Sequence, residues 1–332
     1  MPRRRVWMSL IPLLVVFGGS EGALRAAGWP KRDPTREFAH NEIYWKEAGS
    51  LHLEPRMHKE TGGTFRESTD ANGLRVPLHG EEKPSGVFRV MTLGCSTTFG
   101  WGVDDEQSYP ARLEEVLHER GLANVEVING GQPGYSTFQG LWLWDNVLAR
   151  YKPDLVVFGY IVQDARKVAY TDKSQAVLQQ NADFMKQNFL YHSRVYLFLK
   201  DAYDGWRIQS KEQGAEGGVP RVPVDEYSEN IRAFKERVEQ AGGTMMLFGF
   251  PLEREGYTAD HRGVLHAAAE VLEVPLYDPQ PEFERYTATR TLYFPQDRGH
   301  ANAEGCDLIA HGMADFLVSH ALVPKATSPA GR

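Results

Sequence analysis

Cysteine is nearly absent from this 332-residue chain, which carries only Cys95 and Cys306. Two cysteines build neither a disulfide framework nor a CxxC metal site, and burial as small apolar side chains is the expectation for both. Positive charge is not in excess either. With 37 Lys and Arg against 44 Asp and Glu, the formal charge is −7, and no basic run studded with aromatics occurs. A phosphate backbone therefore finds no electrostatic footprint, which excludes nucleic acid as a partner. There is no glycine-rich phosphate loop. His40, His52, His58, His79 and His192 are scattered without metal-ligand spacing, so neither a metal nor a cofactor is implied.

A long hydrophobic run is also lacking, but a short one stands at the N-terminus. Arg3, Arg4 and Arg5 precede the apolar stretch from Val6 to Phe17, and Gly18, Gly19 and Ser20 follow it, which is the order of an export signal. The run is shorter than the roughly 20 residues a spanning helix needs. "EGALRAAGW" extends it if Glu21 and Arg25 lie at the interface. Residues 1–28 read as a cleaved signal or a retained membrane anchor, and the anchor is preferred. Either reading puts the rest of the chain in the cell envelope, outside the cytoplasm.

Residues 29–85 are rich in charge, Gly and Pro, and read as an irregular segment wrapping the domain that follows. From residue 86 the texture changes. "VFRVMTLG", "VEVIN", "DLVVFGYIV", "TMMLFGF" and "VPLYD" read as strands, with helical patterns between them and a last helix from about Ala303 to Val318. Strands this continuously apolar belong to a sheet covered on both faces. The alternation predicts a three-layer α/β/α sandwich on a parallel five-stranded sheet over residues 86–322. Residues 161–225 show no obvious strand and read as a helical insertion or lid, and 323–332 as a disordered tail.

Two stretches can carry chemistry. "LGCSTTFGWGV" places Ser96 in the turn leaving the first strand, where backbone N–H groups can face a developing negative charge. The bland alternative is that Ser96 caps the next helix. "DRGHANAEG" places Asp297 and His300 three residues apart just before the last helix, so that both can lie in the loop or first turn preceding it, where an Asp can hold an imidazole while its far nitrogen takes a proton from a serine. The bland alternative is that Asp297 shapes a turn and His300 is an exposed polar residue.

Together with this order of strands and helices, these stretches resemble the SGNH, or GDSL, hydrolase family, of flavodoxin-like fold. "LGCSTTFGWGV" resembles its first block, GDSxTxG, with Cys95 in place of the Asp. "VINGGQPGYST" resembles the second, with Gly134 at the oxyanion-hole glycine. "DRGHANAEG" resembles the last, DxxHxN, and "DANGLRVP" is similar to the NxxGxR-type lead-in of anchored extracytoplasmic members. The third block, Gly-x-Asn-Asp, departs: in "YIVQDAR" Gln163 replaces the oxyanion Asn and Ile161 the Gly. Gln carries the same donor on one more methylene.

The resemblance implies a serine esterase with the triad Ser96, Asp297 and His300. Its oxyanion hole is formed by Ser96, Gly134 and Gln163, without cofactor. Cys95 is expected to be an inert thiol facing away from the cleft, against the alternative of a Cys nucleophile. The implied substrate is an acylated, above all acetylated, glycan or lipid of the envelope. An O-acyltransferase with the same triad, or a catalytically impaired domain that binds glycan or a partner protein, are the alternatives.

Overall fold

The computed structural model describes residues 2–29, 36–38, 45–47, 49–50, 52–58, 61–168, 170–180, 190–200, 202–203, 206, 218–253 and 256–325. His40 and residues 326–332 of the tail lie outside them. The chain divides into two compact units, 1–36 with 168–219, and 37–167 with 220–332.

In the smaller unit, helix α1 (Pro2–Ala26) exposes Ile11, Leu14, Val15, Val16 and Phe17. No described helix is long and apolar enough to cross a membrane. The insertion residues of this unit include a helix, Asp172–Gln180, and helical residues 194–200. The Glu21 carboxylate accepts hydrogen bonds from the Ser193 hydroxyl and from the N–H groups of Arg194 and Val195, each at 3.0 Å. An acid there satisfies the donors that the first turn of a helix leaves unpaired. Arg25 donates to the His192 carbonyl at 2.7 Å, and the rings of Trp29 and Phe198 meet edge to face at 5.4 Å. Residues 181–189 and 207–217 of the expected insertion are outside the described residues.

Within the stretch read as irregular, the larger unit carries an antiparallel hairpin of β1 (His52–Met57) and β2 (Thr64–Ser68). The central sheet follows as β3 (Phe88–Leu93), β4 (Val125–Asn129), β5 (Leu155–Phe158), β6 (Thr244–Phe248) and β7 (Leu276–Tyr277). All pairings are parallel, in the order β7-β6-β5-β3-β4. Alternate residues serve opposite faces. Val90, Val127 and Val157 pack on one face against α3 (Tyr109–Glu119) and α9 (Ala303–Ser319), through Leu113, Leu117, Ile309 and Met313. Met91, Ile128 and Val156 pack on the other against α4 (Thr137–Asn146), α6 (Val224–Gln240) and α7 (Ala259–Leu272), through Trp144, Ile231, Phe234 and Leu265. The expected three-layer sandwich is thus present. Its strand order reverses between β3 and β5, and in open parallel sheets the crevice outside that reversal is where ligands bind.

Two buried arginines fasten the lead-in segment to this sheet. Arg75, from "DANGLRVP", is fully buried. It donates to the carbonyls of Phe99, Gly100, Val103 and Arg66 and, through Nε at 3.0 Å, to Asp105. Phe99 and Gly100 close the short helix α2 (Ser96–Phe99), so Arg75 ties the lead-in to the element carrying Ser96. Arg89, at the start of β3, donates to the carbonyls of Gly80, Glu81, Glu82 and Tyr151 and to Glu126. Guanidinium suits both places because its five donors fan out in a plane. Arg75→Met removes the guanidinium's hydrogen bonds from four carbonyls and its ion pair from Asp105, and is expected to cost about 3–5 kcal/mol of stability, measured by urea unfolding.

Candidate active site

Beyond Leu93 the chain leaves the sheet through Gly94 and Cys95, whose φ of −94° and ψ of −150° are extended, and enters α2 at Ser96. Gly100 ends that helix in the left-handed region, at φ 85°. Strand alternation stops at this turn, so it does not decide which way Ser96 and Cys95 face; the strand-to-helix bend does. Cys95 is 1% exposed, with Sγ 3.3 Å from the Thr97 hydroxyl, and burial pushes its thiol up. Burial likewise pushes Cys306 up to about 12. Both cysteines are free and buried. The N-cap of α2 is Cys95, whose side chain makes no capping bond, and the Ser96 Oγ lies 2.7 Å from His300 Nε2.

His300 and Asp297 do not lie in a loop or first helical turn. They lie instead on a strand, β9 (Asp297–Ala301), paired antiparallel with β8 (Tyr293–Phe294). Asn302 then caps α9, its side chain accepting from the Gly305 N–H at 3.0 Å and donating to the Thr291 carbonyl at 2.7 Å. The final block therefore works as strand, cap and helix. His300 Nδ1 lies 2.6 Å from Asp297 Oδ2. A carboxylate can only accept, so Nδ1 carries the proton and Nε2 presents its lone pair to the Ser96 hydroxyl. Burial alone would raise the Asp297 carboxyl, but the hydrogen bond from His300, and the charge of its ring once protonated, outweigh it and hold the carboxyl below its ordinary range.

A second imidazole faces the same carboxylate. His58, 1% exposed, has Nε2 3.5 Å from Asp297 Oδ2, and its Nδ1 accepts from the Thr61 N–H at 3.2 Å. That bond leaves the proton of the neutral ring on Nε2, the nitrogen nearer Asp297. The ring packs among Phe65, Trp101 and Phe294, and a Cβ on Gly102 would come within 2.4 Å of it. In the sequence His58 was one histidine of a scattered set; only the hairpin brings it here.

Three loops converge outside the carboxyl ends of β4, β3 and β5. Gln132 N donates to the Gly94 carbonyl at 3.0 Å, and a Cβ on Gly131 would stand 2.4 Å from Phe99 N, so the loop after β4 lies backbone to backbone on α2. Gly134 adopts φ 80°, a left-handed turn that glycine takes without strain, immediately before α4. Gln163 sits on the one-turn helix α5 (Val162–Ala165) that follows β5. The next residue, Asp164, is buried and accepts from both the N–H and the hydroxyl of Thr137 at the start of α4. The loop after β4 and α5 are thus joined.

One residue absent from the sequence reading meets both. Arg221 Nη1 donates to the Gly134 carbonyl at 2.6 Å and to Gln163 Oε1 at 3.1 Å, and Nη2 donates to Gln139 Oε1 at 2.8 Å. No motif marks Arg221, which lies at the end of the long connection and reaches the site through tertiary structure. Among the described residues no three His, Cys, Asp or Glu side chains are grouped to hold a metal ion.

A model of the GDSL-like Lipase/Acylhydrolase family matches residues 92–308, more than half of the chain. An arylesterase of Vibrio mimicus is 36% identical over 69 residues, 21% of this chain and 34% of that protein, so the chain spans about a third of this curated relative's length. Among solved structures, the acetyl xylan esterase AlAXEase is 18% identical with a TM-score of 0.47, covering 69% of this chain and 100% of its own. The lipase/acylhydrolase from Enterococcus faecalis is 16% identical with a TM-score of 0.48, covering 70% of this chain and 97% of its own. The match of the family model across the sheet, α2 and the Asp297–His300 strand establishes that the chain belongs to the GDSL-like lipase/acylhydrolase family.

Proposed function

We propose that this acylhydrolase is a serine esterase in which Ser96 is the nucleophile, His300 the general base and Asp297 the group that orients and charges the base. The observation that carries this reading is the unbroken series Ser96 Oγ, His300 Nε2, His300 Nδ1, Asp297 Oδ2, with spacings of 2.7 Å and 2.6 Å at its two hydrogen bonds. His300 takes the Ser96 proton as Oγ attacks the ester carbonyl, and the imidazolium so formed is stabilised by Asp297. The oxyanion of the tetrahedral intermediate is received by the N–H groups of Ser96 and Gly134 and by the Gln163 amide. Neither backbone N–H takes an acceptor among the described residues. His300 then protonates the leaving alcohol, acyl-Ser96 remains, and water activated by the same imidazole releases the acid. Cys95 takes no part in this chemistry: its thiol is protonated, and His300 is bonded to Ser96.

The substrate we assign is an acetylated glycan or lipid of the cell envelope. Supporting it are the export-like N-terminus of the sequence and the description of one structural neighbour as an acetyl xylan esterase. The N-terminal segment is proposed to hold the enzyme at the membrane, outside the cytoplasm. Its exposed apolar residues from Ile11 to Phe17 favour that environment.

A fluorophosphonate probe is expected to label the wild-type protein and not Ser96→Ala; equal labelling of both, or none of either, removes Ser96 from the nucleophile's role. Asp297→Asn is expected to lower kcat on p-nitrophenyl acetate on the order of 10³–10⁴-fold, because an amide no longer fixes the productive imidazole tautomer. The same variant tests the lowered Asp297 carboxyl. A group whose folded value is depressed adds stability above its unfolded value and loses it as pH falls through the folded one. The wild-type advantage in melting temperature over Asp297→Asn is therefore expected to be full near about pH 6 and to shrink toward about pH 3.

A further inference from the structure

We propose that Arg221 is a positioning residue that turns the Gln163 side-chain amide into an oxyanion donor, and that the pair replaces the shorter asparagine usual at this place. The inference rests on the Ser96 esterase reading and adds to it a residue that no block of the family pattern contains.

The argument begins with what each group can do. A guanidinium has donors and no acceptor, so the end of the Gln163 amide that meets Arg221 Nη1 at 3.1 Å must be the oxygen. The orientation of the amide, otherwise open to a flip, is thereby fixed by chemistry. Its NH2 points away from Arg221, and among the described residues it donates to nothing, which leaves a free donor beside the crevice at β3 and β5. Without Arg221 the extra methylene of Gln would let the amide rotate and present either end. An oxygen turned toward a developing oxyanion would repel it.

Arg221 is itself held. Its N–H donates to the Arg166 carbonyl at 2.9 Å and the next N–H, of Val222, to the Asp164 carbonyl at 3.1 Å, so its backbone is fastened to the turn leaving α5. The Val222 carbonyl in turn lies 2.8 Å from His261 Nε2 on α7. Its guanidinium also meets the Gly134 carbonyl and Gln139 Oε1, the latter belonging to the capping box of α4. One planar cation thus references Gln163 to the glycine loop whose N–H is the other proposed donor. The fork is what makes this possible: a single ammonium could hold one of these oxygens but not three at fixed angles.

The experiment is a double-mutant cycle on p-nitrophenyl acetate turnover, with fluorophosphonate labelling rate as the second readout. Arg221→Met is expected to lower kcat and the labelling rate roughly 10²-fold, the size of effect seen when one oxyanion donor is lost, with KM within about twofold. Arg221→Lys, which keeps the charge and N–H donors but not the planar fork, is expected to recover at least about a tenth of the wild-type rate. In a Gln163→Met background, Arg221→Met is expected to cost no more than about fivefold further, because the amide it orients is gone. Gln163→Asn is expected to lower kcat, the shorter chain being unable to meet Arg221 and the oxyanion together. Equal losses from Arg221→Met in both backgrounds overturn the proposal. So does a rise in KM with kcat unchanged, which marks a substrate contact, or a Gln163→Asn variant faster than wild type. A wild-type protein that neither labels nor turns over overturns the Ser96 reading and this inference with it. Labelled, active wild type with a fully active Arg221→Met overturns this inference alone.

Discussion

The parallel pairing of β3 with β4 on one side and β5 on the other is the constraint from which the site follows. Val90 stands opposite Val127 and Leu155, and Leu93 opposite Phe158, so the three strands end at nearly one level. Every parallel strand must then discharge its chain at that edge, and the three departing loops compete for the same space. Two consequences are visible in residues. Backbone lies directly on backbone where Gly131 meets Phe99, and the chain turns sharply at Gly134 and Gly100. Loops packed so closely leave N–H groups facing one crevice, which is the physical raw material of an anion-stabilising site.

Such an edge also exposes carbonyl groups that the sheet does not satisfy. Arginine resolves this repeatedly here. Arg75 gathers the carbonyls around the end of α2 and Arg221 that of Gly134 with two glutamine side chains, while Arg89 does the same at the opposite edge, for the lead-in carbonyls beside the start of β3. Each is a rigid fan of donors inserted where several chain segments with surplus acceptors meet. Burial of a guanidinium is costly unless nearly all of its donors are used, and at Arg75 the four carbonyls and Asp105 use them. The same residues bring segments far apart in the chain to a common frame, so the stability of the lead-in and the geometry of the Ser96 turn are one problem rather than two.

Much of this was legible in the sequence, and for definite reasons. The sheet strands are uniformly apolar because both faces are covered, and helix periodicity between them is strong; those signals are local. The Ser96, Asp297 and His300 blocks were legible through their resemblance to the family's first and last blocks; taken alone, each short stretch reads equally well as a helix cap or a turn. The secondary structure of the last block was not. Asp297 and His300 form a strand because Tyr293 and Phe294 offer a pairing edge, which no local propensity in "DRGHA" announces. The orientation of Cys95 and Ser96 likewise depended on a bend that begins one residue before strand alternation would have applied.

By itself, then, the sequence determined the parallel α/β sandwich, because strand and helix periodicity encode it, and the three residues that form the hydrogen-bonded series were legible through the resemblance of their blocks to the family pattern. Tertiary structure alone decided that His58 faces Asp297 from a hairpin, that Arg75 closes on α2, and that Arg221 holds the oxygen of Gln163. A histidine or an arginine carries no local signal of its partner. Its function is set by which distant carbonyl or carboxylate the folded chain leaves in need of a donor, and that need exists only once the loops have met.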